Sequence, residues 1–327
     1  MKKMPQLRIL ATNFCEARCV YCKPLGEGNS LGCRESFIKL DEVIEISKIY
    51  KTVGGDEIKI TGGDPVFWPH LIECVSILKN ELNFKNVEII TRSCDILKIV
   101  DRLIEAGLDV LNFSLDTLNK KTYEKVTGCL DFDDYIDVIK QCCNRQISCK
   151  INTVIMKEVN HNEIEDLINF CSENKVKQLK LLDIIVDMQE NETETRANLK
   201  DLYINLDYIN DILNKKSLIS EIVYQGGLGH PMNKYTFPSQ LEVMIKNSKN
   251  GSWYNEEECI QCCHYPCHDA LMAVRLCPDQ VIQMCLLNST KNIHYTDENR
   301  MRSFLKMINI FQSAFLISDY SKLSELT

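Results

Sequence analysis

The sequence predicts an α/β fold: a partial (β/α)6 barrel of the TIM type, followed by a C-terminal cysteine-rich region. Six strand-like segments alternate with helix-like segments, and this alternation stops near residue 215, ahead of closely spaced cysteines. Successive strand–helix units imply parallel strands joined by right-handed crossovers. Six units suit a partial barrel because a closed barrel needs eight, and an open doubly wound sheet is the alternative.

The predicted strands are short apolar or alternating runs, and the predicted helices carry apolar residues at helical spacing. The strands are 7–12, 57–61, 87–91, 110–114, 150–154 and 178–184. The helices are 41–53, 69–82, 95–106, 119–126, 132–146, 164–171 and 196–213. A hairpin of 273–277 with 281–286 and a last helix over 297–317 follow. We therefore expect a barrel domain over 1–215 and a second region over 216–327, with chemistry at the carboxyl ends of the strands.

Composition limits the classes of function. The chain has 327 residues, a formal net charge of −8 and no basic block, which argues against a nucleic-acid partner. No apolar run of signal-peptide or membrane-span length occurs, so we expect a cytoplasmic protein without membrane attachment. The odd number of cysteines, 17, is a poor basis for a disulfide framework. Clusters of these cysteines indicate metal ligation instead.

Three cysteines directly follow the first strand. Cys15, Cys19 and Cys22 have the spacing C-x3-C-x2-C, which places three thiolates on one loop at a strand end. Iron–sulfur clusters are held by cysteine thiolates, commonly four, so three leave one iron open to another molecule. The alternative is a structural zinc site, which needs a fourth ligand, and Cys33 is the nearest candidate.

This spacing, with Tyr21 before the last cysteine, resembles the signature of the radical S-adenosylmethionine (SAM) superfamily. The resemblance implies that Cys15, Cys19 and Cys22 hold a catalytic [4Fe–4S] cluster whose open iron binds SAM. Reductive cleavage of SAM then yields a 5′-deoxyadenosyl radical that abstracts hydrogen from a substrate. It also implies an external electron donor such as flavodoxin or ferredoxin.

Further motifs resemble the molybdenum-cofactor GTP 3′,8-cyclase group of this superfamily. Ile60-Thr61-Gly62-Gly63-Asp64-Pro65 resembles its Gly-Gly-Glu-Pro motif, with Asp64 in place of Glu, and Asn112–Thr117 resembles its fourth strand end. The resemblance implies SAM-binding residues, namely Tyr21, Gly62, Gly63, Asp64, Pro65, Arg92, Ser114 and Ile185. It implies substrate contacts at four strand cations, namely Arg8, Lys59, Lys150 and Lys180. Cations on strands are suited to hold a phosphate or carboxylate.

The C-terminal cysteines resemble the second cluster site of the same group, within a twitch- or SPASM-like auxiliary-cluster domain. We expect a second [4Fe–4S] cluster held by Cys259, Cys262, Cys267 and Cys285, with Cys263 and Cys277 as rival ligands. The alternative is a zinc ribbon in which His264 and His268 join two of the cysteines.

The cyclase pattern is incomplete. The paired arginines that grip GTP in that group are absent, and the chain ends without its Gly-Gly tail. We therefore expect a radical SAM enzyme that acts on a small anionic metabolite or nucleotide. The alternatives are a maturase of ribosomal peptides, a GTP 3′,8-cyclase, and a non-catalytic zinc or iron–sulfur scaffold.

Overall fold

A twelve-stranded sheet forms the centre of the protein in a computed structural model that describes residues 4–22, 36–186, 199–224, 228–267 and 269–317. Its strands are β1 (Gln6–Leu10), β2 (Glu57–Thr61), β3 (Asn86–Thr91), β4 (Val110–Ser114), β5 (Ser148–Val154), β6 (Gln178–Leu182), β7 (Ile219–Tyr224), β8 (Pro231–Thr236), β9 (Glu242–Lys246), β11 (Ala273–Cys277), β12 (Val281–Gln283) and β13 (Ile293–His294). A separate pair consists of β10 (Ser252–Tyr254) and β14 (Phe315–Ile317). Cys33 and His268 lie outside the described residues.

The strand order distinguishes the two predicted architectures. Within the sheet, β1 to β6 follow one another in chain order, and each pairs in parallel with the next. A doubly wound sheet reverses direction at a switch point, and this run has none. The α/β class is confirmed, and the order agrees with a singly wound partial barrel.

Both edges of this six-stranded run are extended by C-terminal strands. β11 pairs in parallel with β1, and β9 pairs in parallel with β6, which gives eight consecutive parallel strands. The hairpin of β11 with β12 matches its prediction. The parallel role of β9 was not anticipated, because an isolated five-residue strand carries no signal that identifies its distant partner.

The helices follow the predicted alternation with altered ends. They are α1 (Leu40–Thr52), α2 (Leu71–Ser76), α3 (Val100–Glu105), α4 (Lys120–Thr127), α5 (Phe132–Cys143), α6 (Ile164–Glu173), α7 (Leu199–Leu202), α8 (Asp207–Asn214), α9 (Glu256–Cys259) and α10 (Arg300–Gln312). The predicted helix 196–213, whose first three residues lie outside the described ranges, is interrupted: α7 ends at Leu202 and α8 begins at Asp207, whose amide donates to the Asn205 side chain. None of the helices in the described ranges combines the length and apolar character needed to cross a bilayer.

Apolar and charged residues alternate along the strands, so one face of the sheet packs in a hydrophobic core and the other faces the barrel interior. On β1, Leu7 and Ile9 are fully buried in the core, and Arg8 between them lines an internal cavity. The same period of two on β2 places Lys59 between Ile58 and Ile60. Arg8 lies in register with Lys59, so neighbouring strands bring polar side chains together.

Candidate active site

A cavity of about 330 Å³ lies at the carboxyl ends of the parallel strands and extends into the barrel. The predicted residues that line it are Arg8, Cys15, Cys19, Tyr21, Cys22, Lys59, Gly62, Gly63, Asp64, Arg92, Ser114, Lys180 and Ile185. Pro65 and Lys150 are not among its lining residues. The fold therefore brings nearly all of the residues that were chosen for the first site to one cavity.

The three-cysteine loop is attached to the barrel at both of its ends. The Ala11 amide donates to the Thr61 carbonyl over 2.8 Å, and beyond Cys15 the amides of Arg18 and Val20 donate to the end of α4. Burial, and after it the nearby Asp64 carboxylate, raises the pKa of the Cys15 thiol to about 12. Burial also raises the pKa of Cys19. Thiols in this environment form thiolates when a cation binds them, so this donor set fits an iron–sulfur cluster.

Gly62 and Gly63 let the second strand end approach the cysteine loop. A Cβ at Gly62 would lie 2.5 Å from the Thr12 carbonyl oxygen, and a Cβ at Gly63 would overlap the Phe14 carbonyl. The Gly63 amide donates to Thr12 over 2.7 Å, and the Asp64 amide donates to Phe14 over 2.7 Å. The absence of side chains thus allows backbone-to-backbone contact with the residues that precede Cys15.

Asp64 is a buried carboxylate that joins two strand ends. Its oxygens accept hydrogen bonds from the Thr91 hydroxyl and from the amides of Val66, Arg92 and Ser93. Burial raises the pKa of Asp64, and these donors oppose that shift. The side chain therefore fixes the Gly-Gly-Asp-Pro turn against the end of β3.

Arg92, Asp116 and Tyr21 form a polar network beside Cys19. The Arg92 guanidinium lies 2.6 Å from the Asp116 carboxylate, and the Tyr21 hydroxyl donates to that carboxylate over 2.8 Å. Asp116 also accepts from the Val154 amide over 2.9 Å. Asp116 thus connects the cysteine loop to the residue that follows β3 and to β5.

A second buried network lies deeper in the barrel. Glu88 accepts from Lys59 over 2.8 Å, from Asn112 over 2.7 Å and from Lys150 over 3.2 Å. Two of the four cations expected to contact substrate therefore neutralise a carboxylate of the protein. Burial alone would raise the pKa of Glu88, but Lys59 and Lys150 outweigh burial and hold this pKa well below its usual range.

The other two expected cations are joined by residues that the sequence reasoning missed. Arg8 and Lys180 share the cavity with Lys246 of β9 and Arg275 of β11, both of which are buried. Burial lowers the pKa of Lys180 well below its ordinary value, with Lys59 and Arg8 adding to the effect. The available sequence signal is the same as for Arg8 and Lys180: a cation within a largely apolar strand, here Lys246 in β9 and Arg275 in β11.

The second cysteine group surrounds a pocket of its own. The four expected ligands, Cys259, Cys262, Cys267 and Cys285, all line it, whereas Cys263 is exposed and Cys277 ends β11 outside this pocket. Burial raises the pKa of Cys285 to about 12, with Asp269 adding to the shift. Four cysteines that line one pocket, two of them buried and two partly buried, fit an iron–sulfur cluster.

The arrangement differs from a single-ion site. In the ranges that the structure covers, no three cysteine, histidine or carboxylate groups converge closely enough to hold one metal ion. Zinc ligands lie about 2.0–2.3 Å from a common centre, whereas a cubane gives each thiolate its own iron. The zinc alternatives that use Cys33 or His268 fall on residues outside those ranges.

Comparison with known proteins identifies the family. Residues 9–171 match the model described as the Radical SAM superfamily. A "Probable GTP 3',8-cyclase" of Pyrococcus horikoshii is 27% identical over 97% of this chain and 94% of its own length. A "GTP 3',8-cyclase" of Petrotoga mobilis is 31% identical over 51% of this chain and 52% of its own.

Solved structures support the fold. The structure of Streptococcus suis SuiB bound to S-adenosylmethionine has a TM-score of 0.60 and 17% identity, covering 89% of this chain and 63% of that one. The [FeFe]-hydrogenase maturase HydG has a TM-score of 0.51 and 13% identity, covering 64% and 48%. Because the sequence identities are 17% and 13%, these two similarities show a shared fold alone.

These matches confirm the prediction made from the cysteine spacing and the Gly-Gly-Asp-Pro turn. The expected cofactors, a [4Fe–4S] cluster with SAM and a second cluster of the kind found in cyclase-like members, agree with the family. The chain belongs to the radical SAM superfamily and is a radical SAM enzyme.

Proposed function

We propose that this enzyme abstracts hydrogen from a small anionic metabolite or nucleotide held inside the barrel, next to the three-cysteine loop. One observation carries this proposal: a single cavity is lined by Cys15, Cys19 and Cys22 at the strand ends and by Arg8 and Lys180 within the barrel. A [4Fe–4S] cluster with SAM supplies a 5′-deoxyadenosyl radical when both are bound.

The residues around the loop position the cofactors. Cys15, Cys19 and Cys22 are the proposed cluster ligands, and Gly62 and Gly63 set the loop against β2. The remaining proposed SAM contacts are Tyr21, Asp64, Arg92, Ser114 and Ile185, which line the same cavity. Pro65 starts a 3₁₀ turn that orients this wall, rather than contributing to the lining.

The deeper cations hold the substrate. Arg8 and Lys180 line the cavity, and an anionic group such as a phosphate or carboxylate complements them. Lys246 and Arg275 also line it, but each already faces a buried carboxylate: Lys246 lies 3.0 Å from Asp183, and Arg275 lies 3.6 Å from Asp269. Lys59 and Lys150 act indirectly, because both hold Glu88 in the wall.

We also propose that residues 216–327 form the auxiliary region, with the second cluster on Cys259, Cys262, Cys267 and Cys285. An external one-electron donor such as flavodoxin or ferredoxin reduces the enzyme. We also propose a cytoplasmic location, in which cysteines stay reduced and available as cluster ligands.

Two other enzyme classes remain as competing proposals. A peptide substrate is suggested by the solved structure titled SuiB bound to precursor peptide SuiA, and GTP by the names of the cyclase relatives. The absence of the paired arginines that grip GTP argues against GTP, and the cavity cations favour a small anionic molecule over a peptide. A non-catalytic scaffold would not cleave SAM.

The test uses anaerobically reconstituted protein. Cys22→Ala should abolish conversion of SAM to 5′-deoxyadenosine, Cys285→Ala should retain part of this conversion but form no product, and exposed Cys263→Ala is the matched control. Nucleotides, carboxylates and peptides are then screened by mass spectrometry, with dithionite compared with flavodoxin as reductant. Wild-type SAM cleavage by Cys22→Ala would overturn the site, and turnover of peptides alone would replace the substrate class.

A further inference from the structure

The second cysteine pocket offers four thiols for four irons. Cys259 ends α9, Cys262 and Cys267 follow it, and Cys285 follows β12, so the four residues approach from two separate parts of the chain. The rival cysteines are not among the residues that line the pocket. The number of thiols therefore equals the number of irons in a [4Fe–4S] cluster.

Cys267, the residue that raises the number from three to four, is held in place by neighbouring groups. The Ala270 amide lies 3.3 Å from its sulfur and donates to it, and the Tyr254 hydroxyl donates to its carbonyl over 2.8 Å. Burial is the main cause that raises the pKa of this thiol. Amide donors to sulfur are a feature of ligating cysteines.

A second ligand has a similar donor. The Asn288 side-chain amide lies 3.2 Å from the Cys262 sulfur and donates to it. Hydrogen bonds of this kind stabilise thiolate ligands and leave each sulfur oriented toward the pocket. Each of the two cysteines that follow α9, Cys262 and Cys267, thus accepts a hydrogen bond at its sulfur.

The pocket is separated from the substrate cavity by a thin apolar wall. Leu271 lines the second pocket and its neighbour Met272 lines the cavity, and Cys285 and Leu286 are divided in the same way. The Leu286 amide donates to Asp269, whose carboxylate lies 3.6 Å from Arg275 in the cavity. The wall between the two sites is therefore formed by residues that are adjacent in the chain.

We infer that Cys267 completes the ligation of the second cluster, so that the protein holds all four irons and the substrate binds beside this cluster instead of to it. The inference rests on the proposed function, since it concerns the second cluster of the same enzyme. Substrate selection then depends on the cavity cations and on the Met272–Leu286 wall.

The decisive experiment examines the second cluster alone, in full-length protein with Cys15, Cys19 and Cys22 all replaced by Ala. This protein should bind about four irons per chain. Its reduced electron paramagnetic resonance spectrum should not change when cyanide, a ligand for open iron sites, is added. In the same background, Cys267→Ala should either lose the cluster or become sensitive to cyanide, while Cys263→Ala and Cys277→Ala should behave as the parent.

The outcomes separate the two proposals. A cyanide-induced shift in the parent, or a cyanide-insensitive four-iron cluster in Cys267→Ala, would overturn the closed-ligation inference and leave the enzyme assignment untouched. Absence of iron from the parent, despite a folded chain by circular dichroism, would overturn the second cluster itself and with it this part of the proposed function.

Discussion

Arg92 and Asp116, which follow the neighbouring strands β3 and β4, form a buried ion pair 2.6 Å long beside Cys19. Their side chains are 7% and 1% exposed, so water contributes little to solvating either charge. A buried pair of this kind is sensitive to the loss of one member, because the remaining charge has no replacement partner. The pair couples the stability of the barrel to the position of the cysteine loop.

Asp116→Asn should therefore destabilise the protein by about 3–5 kcal/mol, since it leaves the Arg92 guanidinium buried beside a neutral amide. Anaerobic denaturant unfolding measures the change. Asp133→Asn, which breaks the exposed pair with Lys120, is the control and should cost about 0–1 kcal/mol. Equal effects of the two substitutions would show that the buried pair has no special role.

Gly63→Ala should displace the cysteine loop while the barrel remains folded, because the new methyl group would overlap the Phe14 carbonyl. After reconstitution, iron content and visible absorbance should fall to about half of the wild-type values, because one of the two [4Fe–4S] clusters is lost. Gly54→Ala is the matched control: its Cβ meets no atom within 4 Å, although its φ of +100° adds strain of roughly 1–2 kcal/mol. Full iron loading of Gly63→Ala would contradict the close-approach explanation.

Glu88→Gln should lower stability at neutral pH and flatten the acid limb of the stability curve. The pKa of Glu88 is lower in the folded protein than its ordinary value of about 4.3, so the carboxylate contributes stability above that pH. This contribution is lost as pH falls through the lower folded pKa. The difference between wild type and Glu88→Gln should thus shrink below about pH 4.

The free energy of unfolding measured from pH 7 to pH 3 tests this expectation. Glu57→Gln, on the same sheet but exposed, is the control and should follow the wild-type curve. A gap between wild type and Glu88→Gln that stayed constant down to pH 3 would refute the role of the charge.

Ile222→Lys should reduce self-association without changing stability by more than about 0.5 kcal/mol. β7 is an edge strand of the sheet, and Leu218, Ile219, Ile222 and Tyr224 are all exposed there. Exposed apolar edges pair with other chains, and a lysine opposes such pairing. Sedimentation velocity over a concentration series measures the effect.

Met301→Lys is the control for that substitution, because Met301 is also exposed and apolar but lies on α10. It should leave the sedimentation behaviour unchanged. Equal reduction of self-association by both lysines would point to net charge, and not to the strand edge, as the cause.

Local sequence was sufficient for much of the first site. Cys15, Cys19 and Cys22 lie within eight residues, so their proximity follows from chain connectivity. The strands are recognisable because their period of two places Leu7 and Ile9 on one face and Arg8 on the other. Consecutive parallel strands end at one edge, which brings Gly62 and Arg92 to the cysteine loop.

Tertiary structure decided what depends on partners distant in the chain. The apolar run Phe315–Ile317 continues a helical stripe, yet it forms β14 because Ser252–Tyr254 offers it a strand to pair with. Lys246 and Arg275 enter the cavity because β9 and β11 pair with β6 and β1.

The same distinction separates the cysteines of the second group. The sequence favours Cys267 as a ligand but leaves Cys263 and Cys277 as rivals, whereas packing places Cys267 at the pocket and leaves Cys263 exposed. The sequence by itself determined which cysteines, glycines and cations are present and on which helices, strands or loops they lie. Only the three-dimensional pairing of distant strands determined which of them share a cavity, because the orientation and burial of a side chain are set by its neighbours in space.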